Sequence, residues 1–136
     1  MKKLYLILII IVILVIVGLL AVRFLLGGNE DVWIKNNLGV YAKHGNPAET
    51  PNYVIEQQEA IMQALELYSQ KKSEGMQFSS QCLGVVGENV KYAVDVVHVP
   101  RVEEDNIVEN QCEDYQLREV SNFIELDKDG KIVRVV

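Results

Sequence analysis

Residues 4–22 read LYLILIIIVILVIVGLLAV, an unbroken run of 19 uncharged and almost wholly apolar residues. A helix that is apolar all round lies within a core or within lipid, whereas a surface helix shows only a stripe. At about 1.5 Å per residue the run spans roughly 28 Å, close to the ~30 Å hydrocarbon core of a bilayer. Beyond it the pattern is mixed. Residues 32–35 and 40–43 are short β-prone runs flanking Asn36-Asn37-Leu38-Gly39, which predicts a hairpin with a four-residue loop. Thr50-Pro51 reads as N-cap and first helical position of a helix over 51–74. Its apolar stripe is Val54, Ile55, Ile61, Met62, Leu65 and Tyr68, with Lys71 and Lys72 in the last turn and Gly75 as the stop.

After Gly75 the period shortens to that of strands. Residues 78–86 and 90–99 read as two strands joined by Gly87-Glu88-Asn89. In VKYAVDVVHV, alternation puts Val90, Tyr92, Val94, Val96 and His98 on one face and Lys91, Ala93, Asp95, Val97 and Val99 on the other. Residues 101–114 read as an acidic loop, and 120–126 and 131–136 as a closing hairpin turned at Asp127-Lys128-Asp129-Gly130. These elements predict an α+β fold, with one amphipathic helix packed on a roughly four-stranded antiparallel sheet. Cystatin-like sheets share this order, an analogy of fold that carries no function.

The hydrophobic run divides the chain into an N-terminal transmembrane anchor (1–26), a juxtamembrane hairpin or linker (27–50) and an extracytoplasmic domain (51–136). The competing reading is a cleaved signal peptide with Lys2 and Lys3 as its basic head. Its apolar region would be only 7–15 residues long and would end at a small-x-small site. This run is longer, and Leu19-Leu20-Ala21 lacks the first small residue. Lys2 and Lys3 precede the run while Glu30 and Asp31 follow Arg23, so the positive-inside rule places the N-terminus in the cytoplasm. Gly27-Gly28-Asn29 is expected to break the helix, with Arg23 reaching the outer headgroups.

Charge narrows the partners. After Arg23 the chain carries 10 Lys and Arg against 19 Asp and Glu, a net −9. Nucleic acid and anionic lipid surfaces are repelled by such a domain; the charge reads first as a solvated acidic surface held off a membrane, and alternatively as one that meets cationic partners. Cys82 and Cys112, both on the expected outer side, predict a disulfide that stabilises by roughly 3–4 kcal/mol on the chain-entropy model.

The segment Trp33-Ile34 followed by Lys43-His44-Gly45-Asn46-Pro47, behind a hydrophobic N-terminus, resembles one in uncharacterised small membrane-anchored proteins of uncultivated archaea and bacteria. In those proteins a Trp-Ile-Cys run precedes the Lys-His-Gly-Asn-Pro; here Lys35 stands in place of that Cys. The resemblance covers about 20 residues plus the anchor and implies an anchored extracytoplasmic domain with no known chemistry. Residues 124–136 are similar to the closing hairpin of small secreted peptidase-propeptide-like domains, a generic motif.

Candidate chemistry is sparse. Placing Gly130 at position 6 of a Ca²⁺ loop puts Val136 where the bidentate carboxylate belongs, so 127–130 reads as a plain turn. His98 with Cys82 would make a thiol–imidazole pair only if Cys82 were free. His44 reads as part of the Gly-Asn-Pro turn. No catalytic, cofactor or metal residue is assigned. The candidate binding surface is the acidic loop, with Glu103, Glu104, Asp105, Glu109, Glu113 and Asp114. The expectation is a non-enzymatic, single-pass, membrane-anchored binding module. The alternatives are a small envelope enzyme or inhibitor with a concave pocket near His98, and a self-assembling envelope protein.

Overall fold

The computed structural model describes residues 2–26 and 31–136, and of the first helix the side chains at 5 and 7–22. The expected break at Gly27-Gly28-Asn29 and the placement of Arg23 lie outside this description. Helix α1 is Lys2–Leu26, and its apolar residues 7–22 are all exposed. Among the described residues no helix is long and apolar enough to cross a membrane. The transmembrane helix expected over this run is therefore not found among the described residues.

Strands β1 (Val32–Lys35) and β2 (Tyr41–His44) form the expected hairpin, paired Val32 to His44 and Lys35 to Tyr41. The Asn36 side chain closes its loop by accepting from the N–H groups of Leu38 and Val40. Helix α2 runs Asn52–Ser73. Its N-cap is Pro51, without a side-chain cap bond, so Thr50 does not cap the helix as expected. Its C-terminus does follow expectation. Gly75 takes φ +85°, and the N–H groups of Met76 and Gly75 reach the carbonyls of Lys71 and Lys72, the paired bonds of a Schellman stop.

The buried face of α2 is Val54, Gln57, Ala60, Ile61, Ala64 and Tyr68. Ile55 and Met62, placed on the stripe from sequence, are exposed at 40% and 62%. Each lies one residue, about 100° of helix rotation, beyond a buried position (Val54 and Ile61), so it turns to water. Ala60 and Ala64 are fully buried where α2 packs on the sheet.

The main sheet has the order β3-β4-β5-β6, with β3 Gln81–Val86, β4 Tyr92–Val96, β5 Asn122–Leu126 and β6 Ile132–Val135. It is mixed rather than antiparallel as expected, because β4 and β5 run parallel, Tyr92 beside Asn122 and Val96 beside Leu126. The acidic segment is therefore a crossover and not a hairpin loop. Parallel neighbours need a connection of a dozen or more residues, and residues 97–121 supply it. They form two 3₁₀ turns, Glu103–Asn106 and Val108–Asn110, and a short helix α3, Glu113–Gln116.

Alternation along β4 works as expected. Tyr92, Val94 and Val96 join Ile124, Leu126 and the α2 face in one core, while Ala93 meets Cys112, Val120 and Phe123 in a second core beneath the crossover. The Cys82–Cys112 disulfide, formed as expected, ties that crossover to β3. The hairpin is fastened to this body as well. Buried Gln57 accepts from the Tyr41 N–H at 2.8 Å and donates to the Gly39 carbonyl at 3.0 Å, and the Val135 N–H donates to the Leu38 carbonyl at 2.7 Å.

Candidate functional site

Beyond β4 the chain turns through His98, Val99 and Pro100 into the crossover, and the first 3₁₀ turn folds back beneath it. Asp105 organises this turn. Its Oδ1 accepts from the His98 backbone N–H at 3.0 Å and lies 2.9 Å from His98 Nδ1, while Oδ2 accepts from the Val102 N–H at 2.8 Å. Asp105 is only 3% exposed, so it cannot contribute to a surface as its place among the six acidic residues implied. Burial alone would raise its carboxyl pKa, but the bonds from Val102 and His98 outweigh burial and hold it below the usual range. An ionised carboxylate only accepts, so His98 carries its proton on Nδ1 when the ring is neutral. The Nε2 lone pair is then free and faces Ser79, whose Oγ lies at 3.5 Å.

Ser79 lies in the bend just before β3. The turn before β3 brings its hydroxyl within 3.3 Å of Glu104 Oε1, and Ser80 Oγ donates to the Glu104 carbonyl. The cleft beside them is about 360 Å³ and is lined by Phe78, Ser79, Val97, His98, Val99, Pro100, Val102 and residues 127–129. His98 keeps a third of its side chain exposed there. His98 thus pairs with Asp105 and not with Cys82, whose sulfur is spent in the disulfide.

A second cavity of about 240 Å³ lies under the crossover, on the face of the sheet away from α2. Glu125, 6% exposed, sits between two guanidinium groups: Arg101 donates at 2.6 Å, and Arg134 donates through Nε at 3.1 Å and Nη2 at 3.3 Å. The Arg134 guanidinium also lies over the Phe123 ring at 4.6 Å. Asp95 lines the same cavity and accepts the Cys112 N–H at 3.3 Å. Burial pushes its carboxyl up to about 6, with Glu125 adding to the rise and the Cys112 N–H and Arg101 opposing it. Asp95 and the two sulfurs lie within 4.8 Å of one another, but sulfurs bonded to each other offer no thiolate to a metal.

Of the remaining predicted surface residues, Glu103, Glu104, Glu109, Glu113 and Asp114 are exposed along the crossover. Only Glu104 reaches the His98 cleft. Asp127 closes its turn by accepting from the N–H groups of Asp129 and Lys131, as a plain turn should. Sequence reading did not single out Ser79, Arg101, Glu125 or Arg134. A signal existed for Glu125, the one charge within the strand Asn-Phe-Ile-Glu-Leu. Ser79 had none, because its partners are 19 and 25 residues away. Comparison with protein families, with characterised proteins and with solved structures finds no match to this chain.

Proposed function

We propose that this protein is a single-pass, membrane-anchored, extracytoplasmic interaction module that receives a cationic partner in the His98 cleft. The cleft itself carries the reading: a concavity of about 360 Å³ with a partly exposed histidine in its wall and Asp127, Lys128 and Asp129 along its edge. A net −9 after Arg23 favours approach by a positively charged ligand and disfavours nucleic acid. In the sequence, the 19 apolar residues 4–22 match the thickness of a hydrocarbon core, and the two lysines before them favour an N-terminus on the inner side. The disulfide suits an oxidising compartment. The chain therefore sits in the cell membrane with its N-terminus in the cytoplasm.

A photo-crosslinking amino acid at Val102, on the cleft wall, tests the binding role in native membranes. It captures a discrete partner that the same probe at exposed Met62 on α2 does not. Equal capture from both positions, or none from Val102, overturns the reading. Resistance of the full chain to alkaline extraction, with an impermeant thiol reagent reaching single introduced cysteines only after the run, tests the anchor. A second reading, a small envelope enzyme on the same scaffold, is favoured by the Asp105–His98–Ser79 chain of contacts in that cleft.

A further inference from the structure

We propose that Ser79 and His98 catalyse acyl transfer from small carboxylic esters to water, with Asp105 as the residue that positions the histidine. The inference rests on the cleft as a ligand site and names the reaction that its enzyme reading would carry. Three observations on separate elements converge. Asp105 is buried in the 3₁₀ turn and grips His98 through both the ring and the backbone. His98 follows β4 and turns Nε2 to the hydroxyl of Ser79, which precedes β3. Ser79 and His98 both line a cleft large enough for a small acyl group. A nucleophile, a base and a group orienting that base are the parts that covalent ester hydrolysis needs, recognised by geometry and not by order in the chain. The 3.5 Å between Oγ and Nε2 is long for a hydrogen bond, and the hydroxyl proton is directed to Glu104 Oε1 at 3.3 Å.

The steps balance. Ser79 Oγ bonds to the ester carbonyl carbon, the carbonyl π pair moves onto its oxygen, and the hydroxyl proton passes to His98 Nε2. The tetrahedral species collapses, the bond to the alcohol oxygen breaks, and the departing alkoxide takes the proton from Nε2. Water then adds to the acyl-serine with its proton going to Nε2, and collapse returns that proton to Ser79 as the carboxylic acid leaves. Glu104 competes in the resting state, since the Ser79 hydroxyl donates to its Oε1 at 3.3 Å. Glu104→Ala therefore frees the hydroxyl for His98.

The test uses the full chain in detergent micelles, with a fluorophosphonate as the serine probe and p-nitrophenyl acetate as the ester. The expected result is one phosphonyl adduct per chain, on Ser79. Ester turnover falls at least about tenfold in Ser79→Ala and in His98→Ala, stays unchanged in Ser73→Ala at the exposed end of α2, and rises in Glu104→Ala. Asp105→Asn shifts the midpoint of the pH–rate profile, which a purely structural aspartate would not do. Absence of an adduct on Ser79, or turnover in Ser79→Ala equal to the unaltered chain, overturns the proposal. An adduct formed as fast in His98→Ala overturns the role of the base. Capture at Val102 reads separately: capture without labelling leaves binding and removes catalysis, and labelling without capture does the reverse.

Discussion

Asp95 and Asp105 stand ten positions apart in the chain and are both drawn into the protein, yet their carboxyls move in opposite directions. Asp105 receives three donors; Asp95 receives one long bond and the burial. The folded protein therefore holds the Asp95 proton more tightly than the unfolded chain does. Between about pH 4 and about pH 6 the unfolded chain has released this proton while the folded one keeps it, so stability falls as pH rises through that window. Asp95→Asn keeps an acceptor for Cys112 and removes the charge. It should stabilise by roughly 1–2 kcal/mol at pH 8, screening by the open cavity included, and by nearly nothing at pH 4. Thermal melts at the two pH values check this, and equal gains at both would contradict it. Asp105 has the other sign: its contribution is present above the ordinary carboxylate range and is lost as pH falls through its lowered value. Gly130 gives a purely steric case. It holds φ +81°, and a Cβ there would come within 2.6 Å of the Tyr68 ring, so Gly130→Ala should cost about 1–3 kcal/mol in a denaturant titration.

Elements with a short-range cause were legible in the sequence. The hairpin follows from its Asn-Asn-Leu-Gly loop, the end of α2 from Gly75, and the two faces of β4 from alternation. The parallel pairing of β4 with β5 was not, because direction is decided by where 25 residues of crossover travel and no local period records that. The length of this segment was itself a hint, since a hairpin between antiparallel neighbours needs only a few residues. The site was legible in part: the sequence offered a pocket near His98 and the acidic loop, but Ser79 joins His98 and Asp105 only after the crossover folds back over β3. The crossover has little apolar packing of its own, and the Cys82–Cys112 bond anchors it above Ala93, Val120 and Phe123. Replacing both cysteines by alanine should lower stability by about 2–4 kcal/mol. Amide exchange should rise across 101–120 more than in α2; uniform loss of protection would show that the crossover is not a separate unit of stability.

At the scale of the molecule, one glutamine joins what the sequence divides. Gln57 is 1% exposed and bonds the hairpin backbone in both directions, so the segment 32–44 belongs with the body rather than to a loose linker. Gln57→Leu leaves the Tyr41 N–H and the Gly39 carbonyl without these partners, at a cost of about 1–3 kcal/mol. Exchange at Tyr41 and at Val135 should quicken together, since β6 closes on the same loop; independent behaviour would mean that the hairpin rests on the sheet without being locked to it. The fastenings also fix polarity. Gln57 and Val135 hold the hairpin at one pole, whereas Tyr68 donates to the Lys128 carbonyl at 2.7 Å and marks the other, about 16 Å further along α2. The His98 cleft opens beside the 127–129 turn, at this second pole. The hairpin fastening and the cleft therefore lie at opposite ends of α2, so Gln57→Leu should loosen 32–44 while the Ser79–His98 contact stays in place.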